Sequence, residues 1–255
     1  MKGIVLITGG ARGIGAATAR LAARRGHAVA INYRVAKDAA QTLIEEVERG
    51  GGRAIAVQAD VAREAEIVRM FEEVDARLGR LSALVNNAGI NGGPPRPVAE
   101  LEAAELEHLM AVNAVGLMLC CREAVRRMST ARGGAGGAVV NVSSMAAVIG
   151  GRGGRSAYAG SKGAVDSFSI GLAREVAAEG IRVNVLRPGM TRSDMTAEVH
   201  DDSQRLARIA ATIAMRRTAE PEEMARAVLW LLSGEASFIS GARLDASGGG
   251  FVLSA

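Results

Sequence analysis

The chain has 255 residues, of which 49% are hydrophobic and 23% charged, and its formal net charge is +4. This length and composition fit one large α/β domain with a sizeable core. The charge is small and no aromatic residues lie among the arginine clusters, so the sequence gives little support to nucleic-acid binding. No continuous apolar run is long enough to cross a membrane, and no signal-peptide pattern opens the chain, so we expect a cytoplasmic protein.

The cysteines and histidines indicate neither a disulfide nor a metal site. Cys120 and Cys121 are adjacent in the sequence, and neighbouring Cα atoms lie closer together than the usual disulfide separation. The three histidines are scattered without the spacing of metal ligands. We therefore expect reduced cysteines and no bound metal.

Strand and helix patterns alternate along the chain. Short apolar runs predict strands at Ile4–Thr8, Ala28–Asn32, Ala54–Gln58, Leu84–Asn86, Ala138–Val142, Ile181–Leu186 and Ala242–Asp245. Helical spacing of apolar residues predicts helices at residues 14–25, 37–49, 64–78, 99–128, 156–179 and 221–232. These units predict a single α/β domain with a doubly wound parallel sheet. Residues 91–97 are predicted to form a loop, and residues 188–218 a flap.

A glycine-rich turn follows the first predicted strand and opens the first predicted helix. It reads Thr8-Gly9-Gly10-Ala11-Arg12-Gly13-Ile14-Gly15. Glycines let the backbone approach a pyrophosphate closely, and the free N–H groups of a helix N-terminus bind anions. The spacing differs from G-x-G-x-x-G and from a P-loop. By itself the turn is therefore also compatible with a purely structural role.

Together with three further motifs, this turn resembles the pattern of the short-chain dehydrogenase/reductases, and the resemblance runs nearly end to end. The further motifs are Asn86-Asn87-Ala88-Gly89, Tyr158-x-x-x-Lys162 and Pro188-Gly189. The sequence looks closest to the acyl-carrier-protein reductase and glucose-dehydrogenase-like branch. The resemblance implies a Rossmann fold with seven parallel strands in the order 3-2-1-4-5-6-7. It also implies a homotetramer or a homodimer.

The resemblance further implies a catalytic tetrad, formed by Asn113, Ser144, Tyr158 and Lys162. Tyr158 and Lys162 are four residues apart on a predicted helix, so their side chains share a face. We expect the ammonium and a positively charged nicotinamide ring to lower the pKa of the phenol. By resemblance, Tyr158 exchanges a proton with the substrate oxygen and Ser144 donates a hydrogen bond to it. Lys162 holds the nicotinamide ribose and Asn113 holds a water. Ser143 stays open as the active serine, because the spacing from Ser144 to Tyr158 is about one residue longer than the family pattern.

The end of the second predicted strand favours NADP(H) over NAD(H). NAD enzymes usually carry an acid there, which binds the adenosine ribose. In this chain Tyr33 occupies the position of that acid, and Arg34 follows it. Arg34, helped by Arg12 of the glycine turn, suits a 2′-phosphate because a guanidinium offers a fork of donors. NAD(H) stays open as the alternative cofactor.

The resemblance extends to further cofactor contacts. Asp60 and Val61 are expected at the adenine, and Thr191 and Ser193 at the nicotinamide end. The full expected set is Gly9, Arg12, Gly13, Ile14, Gly15, Tyr33, Arg34, Asp60, Val61, Asn87, Ala88, Gly89, Tyr158, Lys162, Pro188, Gly189, Thr191 and Ser193.

The residues predicted to form the wall of the substrate site do not identify the substrate. Residues 91–97, 145–156 and 190–215 mix glycines, apolar side chains and arginines. We expect an NADP(H)-dependent oxidoreductase that acts on a small-molecule carbonyl or alcohol, with a carrier-bound acyl group among the candidates. Two alternatives stay open. One is a catalytically silent dinucleotide-binding regulatory protein, and the other is an NAD-linked alcohol or sugar dehydrogenase.

Overall fold

The computed structural model describes residues 3–250. Seven strands form one sheet in the order β3-β2-β1-β4-β5-β6-β7, and every neighbouring pair is parallel. This arrangement confirms the predicted single-domain Rossmann fold. The strands are β1 (Ile4–Thr8), β2 (Ala28–Tyr33), β3 (Arg53–Gln58), β4 (Leu81–Asn86), β5 (Gly137–Val142), β6 (Ile181–Pro188) and β7 (Arg243–Ala246).

Helices connect the strands and cover both faces of the sheet. They are α1 (Gly13–Arg24), α2 (Lys37–Arg49), α3 (Glu64–Arg77), α4 (Ala103–Met110), α5 (Gly116–Met128), α6 (Ala146–Ile149), α7 (Ser156–Val176), α8 (Ala197–His200), α9 (Ser203–Ala211) and α10 (Pro221–Leu232). Strand side chains alternate between the two faces. Leu6 of β1 packs on the side of α3, α5 and α7, whereas Val5 and Ile7 pack on the side of α1, α2 and α10.

The predicted helical region at 99–128 is not one continuous α-helix. A short 3-10 turn at Val98–Glu100 precedes α4, and the π-helical turn Ala111–Val115 separates α4 from α5. Apolar periodicity does not reveal the wider π turn, because one extra residue leaves the buried stripe nearly continuous. The predicted fourth strand is also too short, since β4 begins at Leu81. Polar Ser82 interrupts its apolar run.

The segment Ala103–Met128 is long enough to cross a membrane, and an 18-residue stretch of it has a mean hydropathy of 1.3. Its core-facing residues Leu117, Cys121 and Ala124 pack in the cluster beneath the sheet. A core position accounts for the apolar composition of this helix. The structure therefore adds no support for a membrane span.

The predicted flap folds as two short helices, α8 and α9, beyond the end of β6. Val199, Ile209 and Ile213 form a small apolar cluster there, with Met190 packed against it. Thr191 pairs with Ala219 in an isolated parallel bridge. The flap thus has its own small core, above the edge of the sheet where the parallel strands end.

Candidate active site

The glycine turn brings its backbone close to β4. Gly9 and Gly13 have φ angles of 60° and 52°, which side-chain-bearing residues rarely adopt. A Cβ on Gly15 would lie 2.7 Å from Asn87 Nδ2 and would also collide with the Gly9 carbonyl oxygen. Arg12, the N-cap residue of α1, makes no side-chain capping hydrogen bond. The first N–H groups of this helix are therefore available to an anion.

Asn32, at the end of β2, holds the glycine turn, and none of the sequence motifs points to it. Gly9 N donates to Asn32 Oδ1 (3.1 Å) and Gly10 N donates to Asn32 O (2.8 Å). The Asn32 amide donates in turn to the carbonyl oxygen of Ala59 (3.0 Å). An asparagine in an apolar strand was the available signal, because a buried amide side chain needs hydrogen-bond partners.

Both arginines predicted at the 2′-phosphate form ion pairs at this edge of the sheet. Arg34 Nη1 lies 3.8 Å from Asp60 Oδ2. Arg12 Nη1 lies 2.6 Å from Asp194 Oδ2 in the flap, and both side chains are more than half exposed. Arg12 is therefore directed toward the flap rather than toward Arg34. Exposed ion pairs contribute little stability, so both guanidinium groups can exchange partners.

The other residues expected at the adenosine end lie around the same edge. Tyr33 ends β2 and is buried, and Val61 is buried in the turn that follows β3. Asp60 accepts a hydrogen bond from Ala62 N (2.9 Å), which fixes that turn. The Asn87 amide donates to the carbonyl oxygens of Thr8 (3.2 Å) and Gly9 (2.9 Å). Asn87 thereby fastens the end of β4 to the glycine turn.

Asn113 lies in the π turn and is fully buried. Its Oδ1 accepts from Ile90 N (2.8 Å), and its Nδ2 donates to Ile90 O (2.8 Å) and to Ser161 Oγ (3.0 Å). These bonds tie the loop after β4 to α7. The side-chain amide uses both of its hydrogens within the protein, so holding a water, its role by resemblance, stays a prediction. A π turn of this kind often occurs at a functional site.

The two serines after β5 face different partners. Ser143 is buried and its Oγ donates to the Lys162 carbonyl oxygen (3.1 Å). Ser144 is only partly buried, and its Oγ accepts from Ala146 N (3.1 Å). The Ser144 side chain also interacts with the Tyr158 phenol. The structure therefore places Ser144 rather than Ser143 beside the phenol.

Tyr158 and Lys162 lie one turn apart near the N-terminal end of α7. Lys162 Nζ lies 5.9 Å from the centre of the Tyr158 ring and donates to the carbonyl oxygen of Val142 (2.9 Å). A Cβ on Gly89 would lie 3.4 Å from Lys162 Nζ. The lysine amine therefore lies in the gap between the ends of β4 and β5 and is close to both.

Burial controls the protonation of both side chains. It lowers the pKa of Lys162 to about 8, and the negative charge of Asp166 acts against this change. Burial also raises the pKa of Tyr158 above its ordinary value, while Ser144 and the charge of Arg155 act in the opposite direction. Lys162 is not among the protein groups that lower the phenol pKa, and the expected joint effect of the ammonium and a positively charged nicotinamide ring stays a prediction. The ammonium is engaged with the Val142 carbonyl instead.

Two expected nicotinamide contacts lie at the start of the flap. Thr191 is buried and its hydroxyl donates to the Gly189 carbonyl oxygen (3.2 Å). The Ser193 hydroxyl is paired with that of Thr196 (3.2 Å). Ser193 also lies against the glycine turn, because its Cβ would be 3.5 Å from a Cβ on Gly13. The flap therefore contacts the glycine turn, and Pro188 and Gly189 directly precede the flap in the chain.

A pocket opens beside Tyr158, between the loop after β4, α4 and the start of α7. Leu101, Leu106 and Leu109 form an apolar side of it. Arg155 donates to the carbonyl oxygen of Asn91 (2.9 Å) and so fixes the neighbouring loop. The predicted wall segments 91–97 and 145–156 thus meet here, whereas the flap does not line this pocket. Among residues 3–250, no cluster suited to a metal ion is present.

Comparisons with known proteins agree with this architecture. The family model described as enoyl-(acyl carrier protein) reductase matches residues 9–250. The uncharacterized oxidoreductase YgfF of Escherichia coli is 45% identical over 246 residues, covering 96% of this chain and 99% of the relative. The human 3-oxoacyl-[acyl-carrier-protein] reductase is 37% identical over 252 residues, covering 98% of each chain. A solved short-chain dehydrogenase from Burkholderia cenocepacia J2315 in complex with NADP has a TM-score of 0.86 and 32% identity, covering 96% of each chain. The chain therefore belongs to the short-chain dehydrogenase/reductase family of oxidoreductases.

Proposed function

We propose that this protein is an NADP(H)-dependent oxidoreductase that reduces a carbonyl compound to an alcohol, with Tyr158 as the proton donor. The observation that carries the proposal is the convergence of Ser144, Tyr158 and Lys162 at the edge of the sheet that holds the glycine turn. In a doubly wound sheet, ligands bind at this edge. A proton donor beside a dinucleotide cradle is the arrangement that carbonyl reduction needs.

The cradle fits a phosphorylated dinucleotide. The positive φ angles of Gly9 and Gly13 and the uncapped start of α1 suit a pyrophosphate, and the close approach of Gly15 to Asn87 holds the turn in this shape. Arg34 and Arg12 are the residues that would bind a 2′-phosphate, because both are more than half exposed and at the rim of this cradle. NADP in the Burkholderia relative supports the same choice.

The protein groups would then act on the substrate oxygen. When bound, NADPH would be the source of the hydride for the carbonyl carbon. The carbonyl π electrons move onto oxygen, and the Tyr158 hydroxyl gives its proton to that oxygen, which completes the alcohol. Ser144 donates a hydrogen bond to the oxygen as its negative charge grows. Lys162 supplies positive charge next to the phenolate that remains on Tyr158.

The protonation of Tyr158 supports the reductive direction. Burial raises the pKa of this phenol, so it carries its proton at neutral pH. A protonated phenol is ready to donate to a carbonyl oxygen, whereas alcohol oxidation needs the phenolate. For oxidation, the positive charge of an oxidised nicotinamide ring would have to stabilise that phenolate.

We propose a substrate with an apolar body. Exposed apolar side chains occur on α6 and the flap, including Ile149, Met195 and Met215, and leucines line the pocket beside Tyr158. The human 3-oxoacyl-[acyl-carrier-protein] reductase among the relatives adds a carrier-bound 3-oxoacyl group to the candidates.

We further propose a cytoplasmic homotetramer or homodimer without a nucleic-acid partner. Met110 and Val115 are 37% and 50% exposed on the helical segment from α4 to α5. Exposed apolar side chains of this kind favour burial against another subunit. Light scattering after size-exclusion chromatography would test this assembly, and a monomer at micromolar concentration would contradict it.

The proposed activity is tested by NADPH oxidation against a panel of carbonyl compounds. The panel contains a 3-oxoacyl thioester, a cyclic ketone, a linear ketone, an aldose and a quinone. We expect turnover of at least one compound, and a rate reduced about 100-fold or more by Tyr158→Phe, since general acid catalysis contributes at least that much. A rate untouched by Tyr158→Phe would remove Tyr158 from the mechanism. Tight NADPH binding without turnover of any compound would instead favour a silent dinucleotide-binding protein.

A further inference from the structure

A buried carboxylate, Asp166, lies one helical turn beyond Lys162 on α7. Its side chain is 9% exposed, and residues four apart on a helix share a face. A buried ionised carboxylate is costly unless a positive charge or hydrogen bonds compensate it. The position of Asp166 beside an active-site lysine therefore needs an explanation.

Arg187, at the end of β6, compensates only part of this carboxylate. Its Nε and Nη2 donate to the same oxygen, Asp166 Oδ2, at 2.8 Å and 2.7 Å. Asp166 Oδ1 is buried and has no hydrogen-bond partner within the described part of the chain. Arg187 also donates to Asp245 Oδ1 on β7 (3.2 Å), a carboxylate that is 46% exposed. Asp166 is thus the buried acceptor of Arg187, and Asp245 the exposed one.

The pair joins two elements of the site. Asp166 is on the helix that carries Tyr158 and Lys162, whereas Arg187 directly precedes Pro188 and the turn into the flap. The charge of Asp166 opposes the lowering of the Lys162 pKa that burial causes. Asp166 can therefore influence the site through geometry and through charge.

We propose that Asp166 is a positioning residue for the reaction, which keeps Lys162 in its charged form and fixes α7 against the strand end that leads into the Pro188-Gly189 turn. The role in the reaction rests on the proposed function, but the effect on Lys162 does not. Besides these two residues, the ionisable groups that face them are Tyr158 on α7, Arg187 on β6 and, through Arg187, Asp245 on β7. The Asn113 and Ser143 side chains nearby are neutral.

The sequence makes a direct test possible, because the chain contains only three lysines, Lys2, Lys37 and Lys162. Lysine labelled with carbon-13 at Cε would give three NMR resonances, and Lys162→Arg would assign the one of interest. In the unmodified chain we expect this amine to titrate with a pKa of about 8. Asp166→Asn should lower its proton affinity by about 10-fold or more, since a nearby opposite charge shifts a pKa by about 1–3 units.

Asp245→Asn is the matched control, because it removes the same charge and the other carboxylate of Arg187. We expect less than about a 2-fold change in the Lys162 proton affinity. Equal titration of Lys162 in the unmodified chain and in Asp166→Asn would overturn the proposal. If Asp166→Asn does not fold, the double variant Asp166→Asn with Arg187→Gln removes both partners of the buried pair. The same loss of proton affinity is expected there, and an unchanged titration would overturn the proposal equally.

The turnover assay then tests the link to the reaction. With a substrate from the carbonyl panel, Asp166→Asn should lower kcat about 5-fold or more at pH 8, and less at pH 6, where Lys162 regains its proton. An equal loss at every pH would show a purely structural role and contradict the proposal. Because the NMR titration needs no substrate, a failure to find turnover would count against the proposed function and not against this inference.

Discussion

The Lys162 amine lies 5.9 Å from the centre of the Tyr158 ring, yet its hydrogen bond goes to the carbonyl oxygen of Val142 at 2.9 Å. The lysine is 4% exposed, and its pKa is about 8. The protein therefore holds a group that loses its proton easily at the place where the proposed reaction needs a positive charge. A buried amine of this kind is expected to lower the stability of the folded protein while it serves the reaction.

Replacing Lys162 by methionine should stabilise the protein at neutral pH. The pKa of Lys162 is about 8 in the folded chain, whereas the ordinary value for a lysine, which applies to the unfolded chain, is 10.5. Between these values the unfolded chain binds more protons, so the stability of the unmodified protein rises with pH. Below pH 8 the charged amine therefore destabilises the fold, by an amount on the order of 3 kcal/mol. Lys162→Met should unfold at higher urea at pH 7, and its advantage should shrink toward pH 10.

Lys37→Met provides the control for that comparison. Lys37 is exposed at the start of α2, and surface substitutions usually change stability by less than about 0.5 kcal/mol. If Lys162→Met were less stable than the unmodified chain at pH 7, the burial argument for Lys162 would be wrong.

The roles of the two adjacent serines should be distinguishable by their effects on kcat and on stability. Ser144→Ala removes the hydroxyl beside the phenol and should lower kcat about 100-fold, as loss of one donor to a developing oxyanion does. Ser143→Ala removes only the bond to the Lys162 carbonyl oxygen, so it should lower stability by about 1 kcal/mol with a much smaller effect on kcat. Steady-state kinetics and urea unfolding of both variants measure this. A larger kcat loss for Ser143→Ala would assign the role to Ser143.

Gly15→Ala should prevent nucleotide binding. The added Cβ would meet Asn87 Nδ2 at 2.7 Å and the Gly9 carbonyl oxygen, and overpacking of this kind destabilises by about 1–3 kcal/mol. At Gly171 on α7 a Cβ would meet nothing within 4 Å, so Gly171→Ala should stabilise by about 0.5–1 kcal/mol. Calorimetric titration with NADPH and thermal unfolding report both effects. Normal NADPH affinity in Gly15→Ala would exclude the turn from the cofactor site.

Arg34→Ala should weaken NADPH more than NADH. A hydrogen bond to a charged group contributes about 1.5–3 kcal/mol, so the ratio of kcat/KM for NADPH over NADH should fall about 10- to 100-fold. Adding Tyr33→Asp should move the preference further toward NADH, since an acid there accepts from the ribose hydroxyls. Arg49→Ala, at the exposed end of α2, is the control for the loss of one charge. An unchanged ratio in the double variant would discredit the NADP(H) assignment.

The sequence predicts the fold well because each element carries its own local signal. The apolar run Ile4–Thr8 and the glycines after it indicate a buried parallel strand that ends at a ligand edge. The motifs after β4 and β6 likewise follow apolar runs and indicate strands that end at this edge. Tyr158 and Lys162 come together because helical periodicity alone determines their common face.

The contacts between distant elements are not predictable in this way. Arg12 and Asp194 pair although 182 residues separate them, and nothing local favours that partner. Asn32 is part of an apolar strand, and only the folded sheet brings the glycine turn to its side chain. The protonation of Tyr158 likewise depends on burial, which only the folded chain determines.

Deuteride transfer from NADPH that carries deuterium at both C4 positions of the nicotinamide tests the central claim most directly. In a single turnover with the best carbonyl substrate, the unmodified protein should place the deuterium on the carbinol carbon. Tyr158→Phe should perform the same transfer at least about 100-fold more slowly, while its affinity for NADPH is retained. A product without deuterium, or an equal rate of transfer in Tyr158→Phe, would contradict the account.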